Sequence, residues 1–180
     1  ISPDFICLSK GLTSGWLPFS AVLTSNRIYQ AFYDDYDSGK SFLHSHTYSG
    51  NALGVSLALA TLDVIEKERL CERARTLQII MRTQLQNIAN KTGLLKNIRG
   101  IGAMVAADLE DKKLAPRAAH KLYQQAIDLG ALLRPLGNTI YWMPPLNINH
   151  DTLLELSDIT HKALQTLLIR TKDKVKIKLK

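Results

Sequence analysis

A lysine at the carboxyl end of a buried strand can do chemistry that a surface lysine cannot. Lys10 closes the stretch Asp4-Phe5-Ile6-Cys7-Leu8-Ser9-Lys10, and a turn rich in Gly, Ser and Thr follows it before a second apolar run, Phe19 to Leu23. Desolvation at a sheet edge favours the neutral amine, and a neutral amine attacks an aldehyde. The local pattern therefore suits a Schiff-base lysine, although a lysine after a strand is more often a solvated surface residue. Two further side chains draw attention. His44 and His46 stand two apart in a polar stretch, but without the Cys or carboxylate partners that a structural zinc site shows, so no metal is expected. Arg134 lies just before Pro135, and its planar guanidinium matches a carboxylate.

Four segments together resemble class III aminotransferases, pyridoxal-phosphate enzymes of fold type I. Ser9-Lys10-Gly11-Leu12-Thr13-Ser14-Gly15, with Leu17-Pro18-Phe19-Ser20-Ala21-Val22 after it, is similar to the family's cofactor-lysine motif. Phe42-Leu43-His44-Ser45-His46-Thr47-Tyr48-Ser49-Gly50-Asn51-Ala52-Leu53-Gly54 resembles a loop that reaches the cofactor phosphate of the neighbouring subunit. Ala31-Phe32-Tyr33-Asp34-Asp35-Tyr36 and the late segment Leu133-Arg134-Pro135-Leu136-Gly137-Asn138-Thr139-Ile140-Tyr141-Trp142-Met143-Pro144-Pro145 are similar to the branch that makes 7,8-diaminopelargonate in biotin synthesis. The match runs through nearly the whole chain in the family's order.

The resemblance implies roles. Lys10 would hold pyridoxal 5'-phosphate, contact substrate and act as general base and acid for the proton shift. Thr47 would donate to the phosphate through its hydroxyl and backbone N–H, and the backbone of His46, a cofactor neighbour, would be a further donor. Both would come from the other subunit of a homodimer with shared active sites. Ser45 stands where the family often has glycine, so its side chain would narrow the substrate channel and its backbone would meet substrate. Arg134 would bind the far carboxylate of a keto-acid, 8-amino-7-oxononanoate. Tyr141 and Trp142 suit either a channel wall or a core. The implied donor is S-adenosylmethionine, or lysine as in some relatives. The acid that keeps the pyridine nitrogen protonated has no counterpart here apart from the adjacent Asp4. An enzyme acting on another ω-amino acid or diamine is the first alternative, and a non-catalytic, cofactor-binding interaction module is the second.

Composition sets the bounds. The 180 residues are 46% hydrophobic and 22% charged, as in a globular chain. The net charge of +7 would suit nucleic acid, but much of it lies in the tail Lys172, Lys174, Lys176, Lys178 and Lys180, and no nucleic-acid motif accompanies it. The alternation from Val175 onward suggests an edge strand or a frayed terminus. No apolar run is long enough for a membrane span. The two cysteines, Cys7 and Cys71, read as buried or partly buried free thiols of a cytoplasmic protein. With no leader pattern and no initiating methionine before Ile1, the chain reads as the C-terminal part of a longer protein.

The elements that must position these residues follow from periodicity. Strand, turn and strand come first, then a short helix capped by Ser25 or Asn26 through about Phe32. A polar loop continues to Gly50. A small-residue helix follows Asn51 to about Lys67 and reads as buried against a partner helix or subunit. Leu70, Leu77, Ile80, Met81, Leu85 and Ile88 mark an amphipathic helix ended by Gly93. Strands are expected at 94–98, 103–109, 131–134 and 139–143. Pro116 opens a helical turn, a helix spans 118–129, and a last helix capped by Asp151 runs to about Arg170. The expected division is 1–67 as the end of a large cofactor domain, 68–92 as a bridging helix, and 93–180 as a small α+β domain. The fold class is α/β, the C-terminal part of a fold type I transferase.

Overall fold

The computed structural model describes residues 1–110, 114 and 117–178, with side chains through residue 168. Contacts divide the chain into two units, Ile1–Arg69 and Leu70–Lys180.

In the first unit β1 (Phe5–Leu8) pairs antiparallel with β2 (Ala21–Thr24), Phe5 opposite Thr24 and Leu8 opposite Ala21. A 3-10 turn, Lys10–Thr13, lies between them. The strands form where expected, but they are not buried: Phe5 is 57% and Val22 65% exposed. A strand apolar on both faces is buried only when each face carries a layer, and within this unit the main partner of each strand is the other strand. Cys7 is exposed with them, and Cys71 is exposed as well, contrary to the expected burial of both thiols.

α1 (Asn26–Gln30) has no side-chain cap, and the Ser25 hydroxyl is buried without a partner. The helix stops before Phe32 because the N–H groups of Ala31 and Phe32 bond three residues back, to Ile28 and Tyr29, and tighten the last turn. α2 (Ala52–Lys67) is capped as its sequence suggests, the Asn51 Oδ1 accepting from the Leu53 N–H at 3.1 Å. Its small residues Gly54 and Ala58 are buried with Thr61, while Leu53, Leu59 and Leu62 are exposed.

The second unit is a two-layer α+β body. Its elements are α3 (Leu70–Thr92), β3 (Leu95–Ile101), β4 (Met104–Leu109), α4 (Ala118–Asp128), β5 (Pro135–Leu136), β6 (Thr139–Trp142) and α5 (His150–Lys178). The strands form one antiparallel sheet in the order β3-β4-β6-β5. Alternation sends Val105, Ala107, Leu109, Ile140 and Trp142 to one face, where they meet Met81 and Leu85 of α3, Leu122 of α4 and Leu164 of α5. Each fully buried Leu contributes on the order of 2 kcal/mol. Trp142 keeps its indole N–H satisfied by donating to Thr160 Oγ1 at 3.2 Å. Gly93 ends α3 with φ +63 and its N–H on Ala89 O.

Four expectations are corrected. β3 runs on to Ile101 rather than stopping at Ile98, because a bulge between Lys96 and Arg99, with Asn97 at φ +51, restores pairing beyond it. No strand forms at 131–134: β5 is Pro135–Leu136, paired to β6 across the turn at Gly137 and Asn138. Asn149, not Asp151, caps α5, its Oδ1 accepting from the Thr152 N–H at 2.8 Å. The basic tail continues α5 through Lys178 instead of forming a strand. No Gly or Pro interrupts 150–178, and a started helix adds residues more easily than a strand begins. Pro116 and Lys180 lie outside the described residues.

Asp108 holds the bulge. Arg99 donates to its Oδ1 at 3.0 Å, Thr139 donates to the same oxygen at 2.7 Å, and the Asn97 amide reaches Oδ2 at 3.1 Å. Hydrogen bonds from Arg99 and then Thr139 lower the Asp108 pKa to about 2. The folded value lies below that of an unfolded chain, so the contribution to stability is full above about pH 4 and is lost as pH falls toward 2. After screening by solvent it is worth on the order of 1 kcal/mol. Asp108→Asn is expected to remove that part of the acid dependence, read as a flatter unfolding midpoint between pH 4 and 2. Gly100 offers a second check. A Cβ there would lie 2.4 Å from Met104 O and 2.7 Å from the Val105 Cα, both backbone atoms. Gly100→Ala is expected to cost about 1–3 kcal/mol in a denaturant titration.

Candidate active site

Lys10 opens the 3-10 turn with φ +45, a left-handed conformation that costs a residue with a side chain about 1–2 kcal/mol. The turn that holds it is cross-braced. Thr13, only 1% exposed, donates its hydroxyl to Leu17 O at 2.7 Å. Ser9 donates to Phe19 O at 3.1 Å. Ser14 and Gly15 follow with φ +51 and +82 and turn the chain toward Leu17. Phe19 then meets α2 where the helix has no side chain: a Cβ on Gly54 would lie 2.6 Å from its ring. Lys10 itself is exposed. The desolvation expected from a buried strand is therefore not supplied within this unit, for the same reason that β1 is exposed.

The segment between α1 and α2 is carried on rings. Tyr29 stacks on Tyr33 at 5.2 Å, Phe32 meets Phe42 at 5.5 Å, and Phe42 meets His44 at 5.6 Å. After the exposed Ser45 the chain closes into a small turn. The His46 N–H donates to Ser49 Oγ, the Tyr48 N–H to His46 Nδ1, and the Ser49 N–H to His46 O. The amides of 46, 48 and 49 are thus committed, while the Thr47 amide and hydroxyl take no part in these bonds and belong to an exposed residue. That leaves Thr47 as the residue of this turn able to offer two donors to an anion. The His46 backbone, expected as a further donor, is already used. His46 and Ser9 line one open groove of about 860 Å³ with Phe19, Tyr48, Asn51 and Val55. Lys10, Ser45 and Thr47 lie outside its lining. Among the described residues no group of three metal-ligating side chains occurs.

In the second unit Arg134 is exposed at the mouth of an apolar groove of about 680 Å³ on the outer face of the sheet, with Ile101, Met104, Leu136, Tyr141 and Met143. Arg99 lines the same groove but is tied to Asp108. Arg134 has no ion-pair partner among the described residues. The two aromatics left open by the sequence part company: Tyr141 lines the groove and Trp142 enters the core. Sequence reasoning missed Thr13, Arg99 and Asp108. The signal for Thr13 was a hydroxyl inside a turn of glycines and serines, a place where side chain-to-backbone bonds are common.

Residues 1–164 match the model of the family Aminotransferase class-III. An adenosylmethionine-8-amino-7-oxononanoate aminotransferase of Helicobacter pylori is 42% identical over 84% of this chain and 35% of its own length. An omega-aminotransferase of Caulobacter vibrioides is 30% identical over 91% of this chain and 37% of its own length. The crystal structure of adenosylmethionine-8-amino-7-oxononanoate aminotransferase from Methanocaldococcus jannaschii superposes with a TM-score of 0.80 at 34% identity, covering 92% of this chain and 39% of that one. The chain spans a little over a third of the length of the curated relatives it matches. Its mixed helix and sheet are those of a fold type I pyridoxal-phosphate transferase over that span. With a strained, braced lysine near its start and a match from its first residue into the first half of α5, the chain belongs to the class III aminotransferase family.

Proposed function

We propose that the protein carrying this chain is a pyridoxal 5'-phosphate-dependent aminotransferase that converts 8-amino-7-oxononanoate to 7,8-diaminononanoate in biotin synthesis. S-adenosylmethionine is the proposed donor. One observation carries the choice of acceptor. Arg134 offers a guanidinium with no ion-pair partner among the described residues at an apolar groove, which suits a carboxylate at the end of a hydrocarbon chain. The names of the relatives from Helicobacter and Methanocaldococcus support the same reaction. The omega-aminotransferase of Caulobacter supports the second reading, an enzyme acting on another ω-amino acid or a diamine.

The residues fit the cofactor in part. Lys10 would hold it covalently, and the free amide and hydroxyl of Thr47 would take its phosphate, with His46 beside them. In our reading His46 and Thr47 serve the other subunit of a homodimer. Asp4 pairs with Arg27 at 2.8 Å and is not assigned to the pyridine nitrogen. When bound, the cofactor supplies an aldehyde and an electron-accepting ring. The Lys10 amine, as general base and acid, would carry the proton that transamination moves at the reacting carbon. Arg134 fixes the far carboxylate, and Ser45 borders the channel through its backbone. We read 1–67 as the end of the large domain, 68–92 as the bridge and 93–180 as the small domain of a cytoplasmic enzyme. Among the described residues no helix is long and apolar enough to cross a membrane.

Two experiments test this. Borohydride reduction of the cofactor-loaded protein followed by peptide mapping is expected to label Lys10, and a label on another peptide overturns the assignment. Arg134→Ala is expected to lower kcat/KM for the keto-acid about 10- to 100-fold, the loss of a charge-assisted pair. The half-reaction with the amino donor should be unchanged. Equal loss with acceptors that lack the far carboxylate would remove Arg134 from substrate binding.

A further inference from the structure

We propose that Thr13 is a positioning residue for Lys10: its buried hydroxyl, bonded to Leu17 O, closes the loop that keeps the lysine backbone left-handed and so aims the amine. The inference rests on Lys10 being the cofactor lysine. Lys10 sits at φ +45 with a side chain that disfavours it, so something outside the residue must oppose its return to negative φ. The bonds within the turn, Leu12 N–H to Ser9 O, Ser14 N–H to Gly11 O and Trp16 N–H to Thr13 O, are each local and would survive a rotation of the turn as a body. Two side chains tie the turn to the segment that leads into β2. Ser9 is exposed, and water can replace its bond to Phe19 O. Thr13 is 1% exposed, so water does not reach its hydroxyl to take over the 2.7 Å bond to Leu17 O.

The anchor on the far side is rigid. Leu17 lies two residues before Phe19, whose ring rests against the bare backbone of Gly54 in a helix capped by Asn51. The path from α2 to Lys10 is therefore Gly54, Phe19, Leu17 and Thr13. α2 also packs directly on the 3-10 turn. A hydroxyl at position 13 is the polar part of that path, and a methyl group of the same shape would fill the space without holding the carbonyl.

The test uses the whole protein and the pair Thr13→Val and Thr13→Ser, with Thr13→Ala made alongside in case the valine variant does not fold. Reductive labelling first asks whether Lys10 carries the cofactor. No label on Lys10 in the unsubstituted protein overturns the catalytic assignment and this inference with it. With Lys10 labelled, Thr13→Val is expected to shift the pH at which the visible band of the lysine-bound cofactor changes. It should lower kcat roughly ten- to a hundredfold, as for a reacting group displaced by about an ångström, with KM within about twofold of normal. In the cofactor-free protein the amides of 10–17 are expected to exchange faster in the valine and alanine variants. Thr13→Ser should restore all three. A band, a kcat and an exchange pattern unchanged in Thr13→Val, or a serine variant as impaired as the valine one, overturns the positioning role and leaves the assignment of Lys10 intact.

Discussion

A Cβ on Gly54 would sit 2.6 Å from the Phe19 ring, so α2 and the lysine loop can meet only where the helix carries no side chain. That contact fixes one end of the loop. From it the chain runs back through Leu17 to Thr13, and Thr13 reaches Lys10 through the 3-10 turn. The strain at Lys10 persists because the loop is held at both ends, by pairing of β1 with β2 on one side and by α2 on the other. A strained backbone persists where the surrounding structure over-determines it.

The second unit solves a different problem. It buries a full core on one face of its sheet and leaves the other face apolar and open, with two arginines at its edge. Asp108 decides which of them is available. It occupies Arg99 and shapes the bulge at Asn97 in the same act, and Arg134 stays unpaired among the described residues. A structural ion pair thus sorts two like cations into one that holds the fold and one that can meet a ligand.

The contrast in burial between the units has a physical basis. α3, α4 and α5 cover the sheet of the second unit, and Trp142, Met81 and Leu85 are sealed between them. β1 and β2 carry equally apolar sequences without a covering layer in their own unit. Phe5, Ile6, Val22 and Leu23 are therefore exposed, and so is Lys10. Apolar sequence states a demand for burial, and only a neighbouring layer meets it.

Several features were legible in the residues because their causes are local. Asn51 before a small-residue run caps α2, Gly93 and Gly130 stop α3 and α4, and the spacing of Leu77, Met81, Leu85 and Ile88 predicts the buried face of α3. The family resemblance was also legible, since residue type and order carry it. Other features depend on partners distant along the chain. The bulge at Asn97 needs Asp108 and Thr139, the choice of Asn149 over Asp151 needs the true first turn of α5, and the separation of Tyr141 from Trp142 needs the helices behind the sheet. Sequence by itself determined the family and most of the helices, because those follow from side-chain type, order and short-range period. Tertiary structure alone decided that the buried Thr13 hydroxyl bonds Leu17 O and that, among the described residues, Arg99 and not Arg134 is ion-paired, because hydrogen bonds and burial depend on what packing brings within reach.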